Sequence, residues 1–257
     1  MATKRGSHAI ATLAGKLYAM GGQLCEDTTL AQAEVYDPKA DVWQPLPSMP
    51  TARYGLAAAA VAGKVYAIGG QDIDGDRCVA VEAYDPLAGA WTRAASLSVA
   101  RSSHTATSVG GKIYVLGGVM FQGDQEEEEF ITMDRVDVYD PVADSWQQMA
   151  AMPTARHSHS AAVLDGKIYV SGGSNCPNSL EAYDPVADTW TTLANLSAGR
   201  VFHTSAAVSS KLCVIGGWSP YARERMNLVE IYSPASNSWA RAADLPSAID
   251  IARAVAL

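Results

Sequence analysis

Arginine and histidine recur along this chain at a fixed offset, and both side chains can bind ligands. Five arginines recur at similar intervals, and four of the five histidines follow one of them by three positions. The arginines are Arg5, Arg53, Arg101, Arg156 and Arg200, and the histidines are His8, His104, His159 and His203. A ring of guanidinium groups would bind an anion, and a ring of imidazoles would hold a metal ion.

The same recurrence has a structural interpretation, which the sequence favours. Leu56 takes the histidine position in the second unit, and no carboxylate accompanies the histidines at regular spacing. A position that accepts leucine is a packing position, and a residue repeated in every unit builds the interface that the units share. We therefore predict no metal and no cofactor, and we single out His157 because it lies outside the pattern.

The sequence lacks the other common signatures of chemistry. No helical pattern follows the Gly-Gly pairs, as a phosphate-binding loop requires, and there is no GxSxG or HExxH motif. The four cysteines lack CxxC spacing, which predicts free thiols in a reducing cytosol, and a redox role for Cys25 or Cys78 would need a lowered pKa. A net charge of −8 argues against nucleic acid and against an anionic membrane surface. We expect a cytoplasmic protein without catalytic residues.

A five-fold repeat with constant internal spacing carries these residues. A Gly-Gly doublet follows each arginine at the same distance, as Gly21 follows Arg5, and a tyrosine and then a tryptophan come after the doublet. The doublets are 21–22, 69–70, 117–118, 172–173 and 216–217, and the aromatic pairs, equally spaced in every unit, are Tyr36 and Trp43, Tyr84 and Trp91, Tyr139 and Trp146, Tyr183 and Trp190, and Tyr232 and Trp239. Each unit is interpreted as a sheet of four antiparallel strands, a to d. Because one such sheet cannot bury both of its faces alone, the sheets are expected to stack radially as blades.

The doublets, the spaced tyrosine and tryptophan and the period of about 50 residues resemble the kelch repeat. The resemblance implies an all-β propeller of four-stranded blades, usually six or seven of them. We expect one propeller domain over 1–257, with repeats at about 5–52, 53–100, 101–155, 156–199 and 200–248.

The residues 249–257 predict either a closing strand or a lone strand of a sixth blade. Each of the first four tryptophans precedes the next repeat arginine by one constant interval, as Trp43 precedes Arg53, but Arg253 lies farther than this from Trp239. The chain is therefore a fragment of a larger ring, or its five blades close with the last strand joining blade one.

Strand direction and loop length locate the expected working surface. The a–b and c–d turns share one face, here called the turn face, and the b–c and d–a loops share the other, the loop face. From the second glycine to the tyrosine the counts are 14, 14, 21, 10 and 15, so length varies on the loop face. Loops on a rigid scaffold commonly carry recognition.

We therefore predict a protein-interaction module that binds a partner protein or peptide through the loop face, as an adaptor or scaffold. The candidate partner-binding residues are Tyr54, Ser102, Ser103, His157, Phe202, Trp218, Tyr221 and Arg223. The acidic run 126–129 favours a basic or mixed partner over an acidic one. The resemblance leaves two alternatives. One is a kelch-type enzyme, similar to a sugar epimerase, an oxidase or a specifier protein, with a pocket on the loop face, and the other is an actin-binding or structural propeller.

Overall fold

Short runs rich in β-branched and aromatic residues become strands, and glycine or proline ends them. The structure, a computed structural model, describes residues 1, 3–25, 28–122 and 129–250. Every regular element in these ranges is a β-strand, which confirms the all-β class. Over the same ranges there is no helix that could cross a membrane.

The first three repeats contribute the strands β1 to β16. The first repeat contains β1 (Ala9–Leu13), β2 (Lys16–Met20), β3 (Gln23–Cys25), β4 (Thr28–Thr29), β5 (Ala33–Asp37) and β6 (Val42–Leu46). The second contains β7 (Ala57–Val61), β8 (Lys64–Ile68), β9 (Val81–Asp85) and β10 (Ala90–Arg93). The third contains β11 (Thr105–Val109), β12 (Lys112–Leu116), β13 (Val119–Gln122), β14 (Glu129–Thr132), β15 (Val136–Asp140) and β16 (Ser145–Met149).

The last two repeats contribute the strands β17 to β26. The fourth contains β17 (Ser160–Leu164), β18 (Lys167–Ser171), β19 (Leu180–Asp184) and β20 (Thr189–Thr192). The fifth contains β21 (Thr204–Val208), β22 (Lys211–Ile215), β23 (Trp218–Ser219), β24 (Glu224–Arg225), β25 (Val229–Ser233) and β26 (Ser238–Arg241).

Five four-stranded antiparallel sheets result, one for each repeat, and they are the blades of a propeller. The strands of each blade pair in the order a, b, c, d, as the repeat predicted. Strand a of one blade packs beside strand a of the next, in the series β1, β7, β11, β17 and β21. Small side chains such as Ala57 and Ala59 allow these inner strands to approach one another around the axis.

Three b–c loops differ from the expectation of plain loops, because they fold into two-stranded ribbons. The ribbons are β3 with β4, β13 with β14, and β23 with β24. A long connection that folds back on itself pairs its own backbone groups, which would otherwise need other partners. Residues 126–128 of the acidic run 126–129 lie outside the described residues, and so do residues 251–257 of the expected strand 249–257.

The repeated aromatic residues pack at equivalent places in all five blades. Tyrosine and tryptophan are cross-strand neighbours in each blade, with ring centroids 5.0 Å apart in the Tyr139–Trp146 pair. The tryptophan Nε1–H of blades two to five donates to a backbone carbonyl of the preceding blade, as Trp91 does to Pro47 at 2.8 Å. The tryptophan therefore joins neighbouring blades, as such amphipathic rings do when one polar tip must be satisfied.

The recurrent arginines form buried ion pairs with a carboxylate on strand c of their own blade. The pairs are Arg5–Glu34, Arg53–Glu82, Arg101–Asp137, Arg156–Glu181 and Arg200–Glu230. Arg53 also donates to the carbonyls of Gly69 and Ala80, at 2.6 and 2.9 Å. The arginine carbonyl in turn accepts from the second glycine of the preceding doublet, as Arg53 accepts from Gly22 at 2.8 Å. The last four of these arginines thus each tie two blades together, which is the structural role that the repeat favoured.

Candidate functional site

The loop face collects the b–c and d–a loops of every blade. Single antiparallel bridges join the two kinds of loop, including Tyr54 with Gln71, Ser102 with Val119, and Val201 with Trp218. On the turn face of blades one to four, the lysine at the start of strand b pairs with the aspartate at the end of strand c, as Lys112 does with Asp140 at 3.1 Å. The chain therefore separates a constant turn face from a loop face whose residues differ between blades.

A series of left-handed residues surrounds the axis on the loop face. Each lies two positions after the repeat arginine, and the members are Ser7, Gly55, Ser103, Ser158 and Phe202, with φ from 49° to 61°. From Gly55 onward, each N–H donates to the carbonyl of the member in the preceding blade at 2.9 Å. Glycine and serine tolerate this conformation better than phenylalanine, for which a left-handed φ costs about 1–2 kcal/mol. Phe202, with φ 55° and 39% exposed, is therefore the strained member.

The b–c loop of blade five places two off-pattern aromatic residues, Trp218 and Tyr221, on this face. Tyr221 is 75% exposed, and its ring lies over Gly199, where an added Cβ would be 2.8 Å from Tyr221 Cε2 and 3.1 Å from Pro177. Trp218 is half-buried at the start of the ribbon β23–β24. Arg223, exposed and left-handed with φ 57°, forms the turn of the same ribbon. Three of the predicted site residues thus belong to one ribbon.

A second candidate site, a cluster of arginine and phenylalanine between blades two and three, was not predicted from the sequence. The Arg77 guanidinium lies 3.5 Å from the centroid of the Phe121 ring and 5.4 Å from that of Phe130. The two phenylalanines pack on each other across the ribbon β13–β14, with centroids 4.5 Å apart, and Phe130 is 63% exposed. The sequence gives one indication of this cluster, because both phenylalanines lie outside the repeat pattern.

The remaining predicted residues lie on the same face but differ in exposure. Tyr54 and Ser103 are half-buried, whereas Ser102 is 1% exposed and its hydroxyl donates to Gln71 Oε1 at 3.1 Å. His157 is half-buried, its Nδ1 lies 3.0 Å from Ser158 Oγ, and burial lowers its pKa. Ser102 therefore stabilises the loop from a buried position, whereas Tyr54, Ser103 and His157 are partly accessible at the surface.

A cavity of about 390 Å³ follows the axis, and the inner strands line it with alanine, serine and threonine. Three of the four recurrent histidines, His104, His159 and His203, lie at its wall in contacts between blades. His159 Nε2 lies 2.9 Å from Thr105 Oγ1, and His203 Nε2 lies 2.9 Å from Ser171 Oγ. His104 packs against Gly69, and Leu56 takes the same place against Gly21.

The electrostatics of these histidines follow from their burial. Burial, reinforced by the charges of Arg101 and Arg53, lowers the pKa of His104 to about 3. Burial lowers the pKa of His159 as well, with Arg156 adding to the shift. Within the described residues, no group of three histidine, cysteine or acidic side chains could hold a metal ion. Burial raises the pKa of the Cys78 thiol, which is opposite to the shift that a redox-sensing thiol needs.

The architecture defines a propeller of kelch-type blades, and comparison with known proteins agrees. The model of the KLHDC2/KLHL20/DRC7 Kelch-repeats domain matches residues 7–217, and the Kelch motif matches residues 199–246. The chain belongs to the kelch-repeat family.

Individual relatives match over single repeats. Kelch-like protein 7 of Homo sapiens is 49% identical over 45 residues, which is 18% of this chain and 8% of that protein. An F-box/kelch-repeat protein of Arabidopsis thaliana is 45% identical over 51 residues, 20% of this chain and 13% of that protein. The matched part is thus only a small share of the length of these curated relatives.

A solved structure resembles the whole chain. The structure of YjhT superposes with a TM-score of 0.83 at 17% identity, over 99% of this chain and 88% of that one. At this identity the likeness establishes the fold, which the sheet order had already shown.

Proposed function

We propose that this kelch propeller is a protein-interaction module that binds a peptide segment of a partner protein across its loop face. The observation that carries the proposal is the exposure of Tyr221, Phe130 and Phe202 on that one face. Aromatic side chains and arginine dominate the energy of protein interfaces. The aromatic side chains bury a large area at a small cost in side-chain entropy. Phe202 adds weight because it places an aromatic side chain at a left-handed position that the other blades fill with serine or glycine.

The turn face also exposes apolar side chains, but of a different kind. Leu87, Val142 and Val186 are almost fully exposed, each alone at the tip of a c–d turn in a different blade. Aliphatic residues scattered singly over a surface are normal, whereas clustered aromatic residues with arginine are typical of binding sites. These three residues therefore provide controls on the opposite face.

We expect a ligand of basic or mixed charge. The chain carries a net charge of −8, and the b–c loop of blade two contributes Asp72, Asp74 and Asp76 to the loop face. Arg77 and Arg223 on the same face add cations, so an acidic segment of the ligand can also be accommodated. The net field attracts a basic partner over long range and is screened by salt.

The enzyme alternative has weaker support. The cavity of about 390 Å³ is large enough for a small ligand, but alanine and short hydroxyl side chains line most of it. Two of the histidines at its wall, His159 and His203, are engaged with Thr105 and Ser171 of neighbouring blades. The loop face offers the richer set of contact residues.

Selection of peptides from a random display library on the immobilised propeller tests the proposal. We expect selected peptides to be neutral or basic and to lose at least about tenfold in affinity with Tyr221→Ala, since a central aromatic contact contributes about 2 kcal/mol. The matched control Val186→Ala on the turn face should bind like the wild type. Loss of affinity in the control, with Tyr221→Ala unchanged, would move the site to the turn face.

A further inference from the structure

The ribbon β13–β14 in the b–c loop of blade three is the longest described ribbon on the loop face. Its return strand β14 has four residues, whereas the return strands β4 and β24 of the other two ribbons have two each. After Glu129 its sequence is Phe-Ile-Thr, an aromatic and β-branched run that suits an extended strand. In the described part of the chain, β14 pairs with β13 alone. Its other side is therefore an open sheet edge.

The register of the ribbon shows which backbone groups face this edge. The Met133 N–H donates to the Gly118 carbonyl at 2.9 Å. In an antiparallel ladder, this bond places the next pair, Val119 and Thr132, at a non-hydrogen-bonded site. Because the two kinds of pair alternate along the ladder, Phe130 lies at the same kind of site as Thr132. The N–H and C=O groups of Phe130 and Thr132 therefore point away from β13.

The opposite edge of the ribbon is covered at its base, whereas the β14 edge is not. Val119 exchanges two hydrogen bonds with Ser102, at 2.9 and 3.1 Å, on the side of β13 that faces away from β14. Within the described residues, the outward backbone groups of Phe130 and Thr132 have no such partner. Two residues that direct both groups outward can form four backbone hydrogen bonds with an added strand, as in peptide binding by β-augmentation.

The open edge borders the blade with the shortest b–c loop. The Met133 carbonyl, at the end of β14, accepts from the N–H of Arg156 at 3.0 Å, and Arg156 begins the fourth repeat. The b–c loop of blade four is the shortest of the five. Tyr221 borders that loop from blade five, because an added Cβ at Gly199 would touch both Tyr221 and Pro177. A segment that pairs with β14 would therefore extend over blade four, between the ribbons of blades three and five.

The side chains around the edge define the chemistry of such a segment. Phe130 is exposed, so a residue opposite it in an added strand gains an aromatic contact. Arg77 stacks on the Phe121 and Phe130 rings from blade two. The loop of Arg77 also carries the exposed carboxylates of Asp74 and Asp76. An apolar residue and a basic residue on this face of the segment fit the edge, whereas a second copy of the chain would bring the same carboxylates and a net charge of −8.

We propose that β14 receives an extended segment of the partner as an added β-strand, with an apolar residue opposite Phe130 and a basic residue on the same face. The inference rests on the proposed function, because it specifies how the peptide of that site is held. Backbone hydrogen bonds to β14 supply affinity, and the alternating side chains supply selectivity.

An N-methyl scan of the peptides selected from the display library tests the added strand. Successive N–H groups of a strand point to opposite sides, so only alternate N–H groups of the peptide reach β14. We expect N-methylation at alternate positions to weaken binding by at least about tenfold, and at the positions between them by less than about threefold. Equal sensitivity at consecutive positions, as a helical peptide would show, would overturn the proposal.

The variant Thr132→Pro tests the edge from the side of the protein. Proline removes one outward N–H and obstructs the edge, while the hydrogen bonds within the ribbon stay intact. We expect at least about tenfold weaker binding, whereas the matched control Thr132→Val, which keeps the N–H, should bind within about twofold of the wild type. Wild-type affinity in a folded Thr132→Pro variant would overturn the proposal. If Tyr221→Ala still weakened binding in that case, the proposed function would stand without the added strand.

Amide hydrogen exchange of the wild-type chain gives a second measurement that does not depend on the folding of Thr132→Pro. We expect the amides of Phe130 and Thr132 to exchange at least about tenfold more slowly with saturating peptide, and the Ile131 amide, already bonded within the ribbon, to change less. Unchanged exchange at Phe130 and Thr132 would overturn the proposal. Light scattering that shows a dimer of the chain, abolished by Thr132→Pro, would assign the edge to a second copy and overturn it as well.

Discussion

Replacing His104 by leucine should make the stability of the propeller less sensitive to acid. His104 is 6% exposed and packs against Gly69, and Leu56 fills the same place in the preceding interface. Its pKa is about 3 in the folded protein, against an ordinary value of 6.5. The unfolded chain therefore binds more protons between these values, so the contribution of His104 to stability is complete above pH 6.5 and declines as the pH falls toward 3.

The magnitude follows from the width of that window. At pH 5, about 1.5 units below the unfolded pKa, the loss is about 2 kcal/mol of unfolding free energy at about 1.36 kcal/mol per unit. Urea titrations at pH 7.5 and pH 5.0, followed by tryptophan fluorescence, measure the difference for the wild type and for His104→Leu. We expect the wild type to lose about 2 kcal/mol more than the variant, because the other titrating groups are common to both.

The reciprocal variant Leu56→His provides the matched control. It places an imidazole against Gly21 in an equivalent interface and should increase the acid sensitivity. Equal pH dependence of His104→Leu and the wild type, with unchanged denaturant slopes, would refute the assignment of a buried neutral histidine.

Three further predictions concern the blades and the site. In urea titrations, Arg53→Met should lower the unfolding free energy by about 3–5 kcal/mol, since it leaves a buried carboxylate without its ion pair. Lys64→Met, which removes an exposed ion pair, should lower it by less than about 1 kcal/mol. Trp91→Phe should cost about 1 kcal/mol more than Trp43→Phe, because Trp91 loses an inter-blade hydrogen bond; equal costs would argue against that bond. Phe202→Gly should change stability by less than about 1 kcal/mol, since relief of the left-handed strain offsets lost packing, yet weaken binding of the selected peptides measured by fluorescence polarisation.

The repeated positions made the fold predictable. Fixed offsets among arginine, the glycine doublet, tyrosine and tryptophan indicate four strands and a shared interface, because only a repeated neighbour demands a repeated residue. The buried pair of Arg53 with Glu82 was not predicted, since the glutamate is distant in sequence and its position becomes meaningful only once strand c is placed. At the end of the repeats the spacing selects Ile249, and its carbonyl accepts from the Gly217 N–H at 2.8 Å, as the repeat arginine carbonyls do at the earlier doublets.

The candidate site was only partly predictable, because its contacts form between residues that no repeat relates. Trp218 and Tyr221 were found as departures from the pattern. The contact between Arg77 and Phe121 was not predicted, because a cation that stacks on a ring of the next blade does not change the residue spacing of either repeat. Side chains that vary between blades are visible in the sequence, but their partners depend on how the loops fold over one another.

One departure from the pattern links the blade to the site and gives a final prediction. The residue before the repeat arginine is alanine in the second, third and fourth repeats and Gly199 in the fifth. The Tyr221 ring occupies the space that an alanine methyl group would fill, since an added Cβ would lie 2.8 Å from Tyr221 Cε2. Gly199→Ala should therefore displace the ring while leaving the blade intact, because alanine is the residue that the other blades use there. We expect binding of the selected peptides to weaken about as much as in Tyr221→Ala, with little change in the urea midpoint. Full affinity in Gly199→Ala would mean that Tyr221 binds from another position or contributes nothing to the interface.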